Sequence, residues 1–228
     1  EYMDKNSHSV DVKFNVLPQY IDSLCSTFQI EKLEEVSFVI WTTTPWTIPS
    51  NVAVCINEDI EYIVAKGANE HFIIAEDLMD ACVDRWGFKL EILGSALGKE
   101  IIDISMTHPL YNRESKLLHG DHVTTESGTG CVHTAPAHGL DDYFICINNG
   151  LESVKALDNK GLFKEEYGPL SGLSTKKGDP IVIELLKENK ALLAHKQYEH
   201  SYPHCWRHKS PVIFMSTPQW FISMKKSG

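Results

Sequence analysis

Val36-Ser37-Phe38-Val39-Ile40-Trp41-Thr42-Thr43-Thr44-Pro45-Trp46-Thr47-Ile48-Pro49-Ser50-Asn51 is the stretch on which the fold turns. Val36 to Thr44 is β-branched and aromatic and reads as a strand. Pro45 pushes Thr44 out of the helical region and ends that strand sharply. Consecutive threonines at a strand end alternate between its two faces, so Thr42, Thr43 and Thr44 offer hydroxyls to at least one of them. A hydroxyl both donates and accepts, and can hold a water or a carbonyl without carrying charge. The plainer reading is a strand that favours β-branched residues. The flanking Trp41 and Trp46 and the rigid turn favour a pocket. Asn51, after Pro49-Ser50, reads locally as a turn former.

A second stretch, Gly128-Thr129-Gly130-Cys131-Val132-His133-Thr134-Ala135-Pro136-Ala137-His138-Gly139-Leu140-Asp141-Asp142-Tyr143, gathers imidazoles and carboxylates around glycines. Gly130 to Thr134 reads as a strand with Cys131 and His133 on one face. A lone strand histidine is commonly structural, but the glycines let a ligand approach the backbone closely. Gly139 to Asn149 reads as a helix with Leu140, Tyr143, Phe144 and Ile147 on one side. Asp141 and Asp142 open it. One acid suits the helix N-terminus; two adjacent carboxylates repel, and the one that is not capping can bind an ammonium.

Outward from these stretches, strands are expected at Val52–Ile56 and Tyr62–Ala65, as a meander with the first strand, and at His71–Ala75, Leu90–Leu97, Ile101–Ile104, Lys116–Val123 and Ala191–His200. Glu76–Trp86 and Pro180–Lys190 show helical periods, the second with proline at its start. Residues 159–175, rich in glycine and proline, read as a long loop. The expected fold class is α+β: a β-barrel-like mixed-sheet core with a few peripheral helices. The character changes near Ser201. Residues 1–200 read as one domain and 201–228 as a connector to another body.

The 43% apolar content supports a real core. No run approaches the roughly eighteen apolar residues of a membrane-spanning helix, so no membrane partner is expected. The start, Glu1-Tyr2-Met3, resembles neither a signal peptide nor an initiation site. With the abrupt ending, it suggests a piece of a longer chain. A net charge of −10 disfavours a stand-alone nucleic-acid binder, although an RNA end held elsewhere could still be received. The six cysteines are scattered without a Cys-x-x-Cys pair, which suggests reduced thiols and a cytoplasmic setting. Cys205-x-x-His208 is half a zinc site with no matching half, so no metal is expected.

The two stretches, with Ser201 to Met224, resemble the editing domain of isoleucyl-tRNA synthetases, the large insertion in the class I catalytic core. Valyl and leucyl relatives carry Thr-Thr-Arg-Pro where this chain has Thr42-Thr43-Thr44-Pro45. The resemblance implies hydrolysis of valyl-tRNA(Ile) by a positioned water and no covalent intermediate, and leaves open whether valyl-adenylate is cleaved as well. It implies Thr42, Thr43, Thr44 and Asp142 as the catalytic set, with Asp142 on the α-ammonium. Asn51, His133, Trp46 and Tyr202 would contact the substrate. The implied partners are the tRNA(Ile) 3′ end, valine as the aminoacyl group, and the catalytic core. ATP and magnesium belong to the parent enzyme; the domain needs no cofactor. The alternatives are a cysteine hydrolase using Cys131 with His133 or His138, and a non-catalytic module that docks tRNA or a partner domain.

Overall fold

Ser7-His8-Ser9-Val10-Asp11-Val12-Lys13-Phe14 alternates polar and apolar residues, and the alternation shows where the core lies. Val10, Val12 and Phe14 are fully buried on one face of a long strand, β1 (Tyr2–Asn15). The computed structural model describes residues 1–220 and 222–224. After β1 come α1 (Pro18–Thr27), β2 (Ser37–Thr42), a 3₁₀ turn (Pro45–Ser50), β3 (Ala53–Ile56), β4 (Glu61–Gly67) and β5 (Glu70–Ala75). Then follow α2 (Met79–Trp86), β6 (Glu91–Leu97), β7 (Ser105–Thr107), β8 (Glu114–His119) and β9 (Val132–Thr134). The order ends with α3 (Leu140–Asn148), α4 (Thr175–Glu188) and β10 (Leu192–Pro203). Strand β1 and helix α1 have no counterpart among the sequence expectations.

The strands form a six-stranded sheet, β10-β1-β2-β5-β4-β6, and a four-stranded sheet, β7-β8-β3-β9. Both are mixed: β2–β5 and β3–β8 are parallel, the other pairs antiparallel. Strand β2 is buried on both faces. Phe38 and Ile40 enter the main core with α1 and α4, and Val39 enters a second cluster with Phe72, Cys82 and Trp86 beneath α2. That explains its unbroken apolar run.

Several expectations need correction. The sheets do not close into a barrel. The meander fails because β3 leaves β2's sheet and pairs with β8 and β9. The 3₁₀ turn carries the chain across, and its prolines Pro45 and Pro49 have no N–H for a ladder. Ile101 and Ile104 are buried plugs ahead of β7 rather than a strand. Helix α4 starts at Thr175, so Pro180 lies inside it. The segment read as a loop contains a 3₁₀ stretch, Glu165–Leu170.

Helix α3 has the expected period but faces the other way. Leu140, Tyr143, Phe144 and Ile147 are exposed, while Cys146 is buried against Val52 and Ala53. Asp142 is the cause. Its carboxylate accepts from the Ala135 N–H at 2.8 Å, which turns the stripe Asp142–Ile145–Cys146 inward.

Strand β10 passes residues 200 and 201 without a break, pairing Ser201 with Asp4 and Pro203 with Tyr2. The later segment folds back over the second signature stretch, where Ser216 N–H donates to the Ala137 carbonyl at 2.8 Å. Phe221 and residues 225–228 of the expected connector lie outside the described residues. Among the described residues, no helix is long and apolar enough to cross a membrane.

Candidate active site

Where β2 stops, the threonines fold onto one another. Thr44 N–H donates to Thr42 Oγ1 at 3.1 Å, and the Thr42 and Thr44 hydroxyls lie 3.2 Å apart. Thr47 adds a hydroxyl 3.4 Å from that of Thr44 and donates to the Thr44 carbonyl at 2.8 Å. Thr42, Thr43 and Thr44 are all half-buried. Among the described residues the Thr43 hydroxyl has no hydrogen-bond partner, which leaves it free for a ligand or a water.

A chain of buried polar side chains locks this cluster to β9. Ser115 Oγ donates to Asn51 Oδ1 at 2.7 Å. The Asn51 amide donates to the Ala53 carbonyl at 2.7 Å and to His133 Nδ1 at 2.8 Å. His133 Nε2 lies 2.8 Å from Thr47 Oγ1. Thr47 spends its proton on the Thr44 carbonyl, so His133 must carry its own on Nε2 and donate. One tautomer satisfies the whole chain from Ser115 to Thr44. Burial holds the His133 pKa down to about 3, helped by His138, so the ring stays neutral.

The structure thus joins the two signature stretches, though not in the expected roles throughout. Asn51 is fully buried with its amide engaged, and stands behind His133 rather than in the cleft. Thr47 and Ser115 were absent from the sequence reading. Thr47 lies within the first stretch and could have been included. Ser115, one polar residue in β8, gave no signal.

Asp142 reaches the same region by the backbone, because Ala135 lies just past His133. A Cβ on Gly139 would come 2.7 Å from the Asp142 carboxyl carbon, so glycine there makes room for it. Burial pushes the Asp142 pKa up, and the Ala135 N–H and His122 pull it back. A buried carboxylate of this kind attracts a cation that can enter the cleft. Asp141, beside it, is exposed and suits the helix terminus.

Trp46 is buried, with its ring edge-to-face on His138 at 4.8 Å and its backbone N–H donating to Asp179 Oδ1 at 2.8 Å. Among the described residues Tyr202 makes no hydrogen bond to the threonines; Lys5 Nζ lies over its ring at 4.3 Å, and Asp179 is a charged neighbour. Asp179 was also missed; nothing in the α4 periodicity marks it. Burial pushes its pKa up to about 6, while the Trp46 N–H and Lys5 oppose the shift. A folded-state value above the unfolded one means the ionised group costs stability, and that cost fades as pH falls from about 6 toward 4. Asp179→Asn keeps an acceptor for Trp46. It is expected to melt a few degrees higher than the parent at pH 8 and level with it at pH 4, as read by thermal denaturation. A lower melting point at pH 8 would show that the Lys5 attraction outweighs burial.

Cys131 packs in the main core ahead of β9. The residue is 2% exposed, its thiol faces the Ile73 carbonyl, and burial raises its pKa. Neither ring nitrogen of His133 bonds to it, so the arrangement lacks an activated thiolate. Cys205 and His208 share a tight turn, Sγ to Nδ1 3.6 Å. A cavity of about 670 Å³ beside β7 and β8, lined by Ile101, Ser105, Lys116 and His119 among others, includes none of the signature residues.

No family model matches the chain. It is 45% identical over its whole length to the isoleucine–tRNA ligase of Pseudoalteromonas atlantica and 44% identical to that of Colwellia psychrerythraea. It spans 25% of the length of each. In structure it resembles GlLeuRS-CP1, with a TM-score of 0.67 at 16% identity over 82% of this chain and 98% of that one. The editing domain of the cytosolic leucyl-tRNA synthetase of P. knowlesi gives 0.63 at 12% identity, over 87% of this chain and 98% of that one. At such identities the structural likeness establishes the fold alone: the α+β fold of synthetase editing domains, open rather than barrelled.

Proposed function

This chain belongs with the isoleucine–tRNA ligases as a segment of about a quarter of their length, and from that premise we propose that it hydrolyses valyl-tRNA(Ile). A synthetic site cannot reject valine strongly, because one missing methylene is worth only about 1–3 kcal/mol, a limit for which isoleucyl enzymes are the standing example. A second pocket that admits the smaller amino acid and cuts its ester supplies the missing discrimination.

The observation that carries the reading is the hydroxyl cluster of Thr42, Thr44 and Thr47, bonded to a buried neutral His133 that, among the described residues, bonds to no cysteine thiol. An aminoacyl ester is already activated, so orientation of water supplies most of what the reaction needs. The α-ammonium pairs with Asp142. Water held by the threonine hydroxyls attacks the ester carbon, and developing oxyanion charge meets hydroxyl and backbone donors. The carbon–oxygen bond to the ribose breaks, and the water's proton leaves on the ribose oxygen. Both His133 nitrogens are engaged, so His133 shapes the pocket rather than acting as the base. No cofactor takes part. The partners are the tRNA 3′ end and the ligase's catalytic core, and the setting is the cytoplasm.

The test is release of valine from valyl-tRNA(Ile) by this chain. Hydrolysis above the buffer rate is expected, with isoleucyl-tRNA(Ile) slower. Cys131→Ala is expected to leave the rate unchanged within about twofold, since a buried thiol contributes only packing. Loss of activity in that variant, or a trapped thioester, would restore the cysteine mechanism. Binding without any hydrolysis would leave a docking module.

A further inference from the structure

The register of β1 against β10 sorts the edge of the six-stranded sheet into two unlike faces. Asp4, Asn6 and His8 share one face with Gln197, Glu199 and Ser201. On the other, Lys5, Ser7 and Ser9 lie with Lys196, Tyr198, His200 and Tyr202. Asp11 also faces this second side but is paired with Arg85 at 3.0 Å. On a chain of net charge −10, that face gathers aromatic rings and two lysines; the acids nearest them are Asp179, beside Lys5, and Asp84, whose carbonyl accepts from Lys196 Nζ at 3.3 Å.

The rings form a continuous series. Trp41 meets Tyr198 at 5.1 Å, Tyr198 meets His200 at 5.9 Å, and His200 meets Tyr202 at 5.6 Å. Tyr198 is 41% exposed, and His200 and Tyr202 are half-buried. At one end Trp41 stands beside the end of β2, whose last residue, Thr42, points to the opposite face. At the other, Lys5 Nζ lies 4.3 Å over the Tyr202 ring.

Stacking platforms interleaved with cations are what an unpaired polynucleotide requires, since every base has a π-face and every link a charge. We propose that this face of the β1–β10 ribbon seats the unpaired nucleotides that precede the acylated ribose, with bases on Tyr198 and His200 and backbone phosphates toward Lys5 and Lys196. The inference rests on the reading of the chain as an aminoacyl-tRNA hydrolase. It also identifies where an acidic domain could hold RNA.

Two substrates separate this idea from its premise: valyl-tRNA(Ile), which carries those nucleotides, and the valyl ester of adenosine, which does not. Tyr198→Ala and His200→Ala are each expected to raise KM for the tRNA about tenfold, the usual loss for one stacked base. Hydrolysis of the adenosine ester should not change, and Tyr198→Phe should restore the tRNA value. Lys5→Gln should flatten the salt dependence of tRNA binding by somewhat less than one unit of slope. Unchanged KM for the tRNA in both alanine variants would overturn the proposal, as would equal losses on both esters. So would a lower melting point with unaltered KM, which would mark the face as packing for another protein segment. Should the parent chain cleave neither ester, the functional reading fails. The ribbon is then judged on the anisotropy of a short labelled single-stranded RNA, where weaker binding by Tyr198→Ala supports it and equal binding refutes it.

Discussion

Asp142→Asn is expected to yield a folded protein whose hydrolysis of valyl-tRNA(Ile) has fallen by about two to three orders of magnitude. A carboxylate and an ammonium about 4 Å apart in a partly buried cleft attract by roughly 4 kcal/mol, and each 1.4 kcal/mol is about a factor of ten. Asparagine removes that attraction and keeps an oxygen for the Ala135 N–H, the bond that orients α3. Stability should move the other way. Burial holds the Asp142 pKa above its ordinary value, so the ionised side chain costs the native state stability at neutral pH. That cost disappears as pH falls through the folded-state value toward the unfolded one. The variant should therefore be at least as stable as the parent at pH 7 and match it in acid. Activity of the parent should decline over the same acidic window, as the carboxylate takes up its proton. Undiminished turnover in Asp142→Asn would remove Asp142 from the ammonium site. A collapse in melting temperature would mean that it serves only to anchor α3.

The parts of this fold legible in sequence were those governed by local rules. The strand character of Val36–Thr42, the turn at Pro45 and the helical period of residues 79–86 and 140–148 are set by side-chain shape and by proline's missing N–H. What escaped depended on distant contacts. Strand β3 has ordinary strand composition, and only the partners supplied by β8 and β9 place it in a second sheet. Helix α3 shows a regular apolar stripe, yet the bond from Ala135 to Asp142 overrides it. The site divides in the same way. Threonines, histidine and aspartate stood out by type and grouping. Ser115 and Asp179 did not, because a single polar residue in a strand or helix resembles surface until its partner is known. Asn51 read locally as a turn former and only the resemblance set it against the substrate; its burial and its bond to Nδ1 place it behind the imidazole.

That reassignment separates the effects of two neighbouring substitutions. His133→Ala is expected to keep hydrolysis of valyl-tRNA(Ile) within about tenfold while bringing the isoleucyl ester close to it, because the lost ring opens space for the extra methylene, worth only about 1–3 kcal/mol in any pocket. It should also cost roughly 2–4 kcal/mol of stability, through the cavity and the unpaired Asn51 amide. Asn51→Ala leaves the ring in place and removes what fixes its tautomer. The imidazole is then free to carry its proton on Nδ1, and Nε2 becomes an acceptor toward Thr47. Thr47 must turn its hydroxyl from the Thr44 carbonyl to the ring, and the cluster that holds the water loses its order. Here the valyl rate should fall by an order of magnitude or more, the usual loss when one oriented hydrogen bond in a reacting array is removed, while the preference for valine over isoleucine persists. Nitrogen chemical shifts of the His133 ring should report the change of tautomer. If both variants lose selectivity alike, or the ring keeps its proton on Nε2 without Asn51, the hydrogen-bond chain does not govern the threonines, and His133 acts on the substrate independently of them.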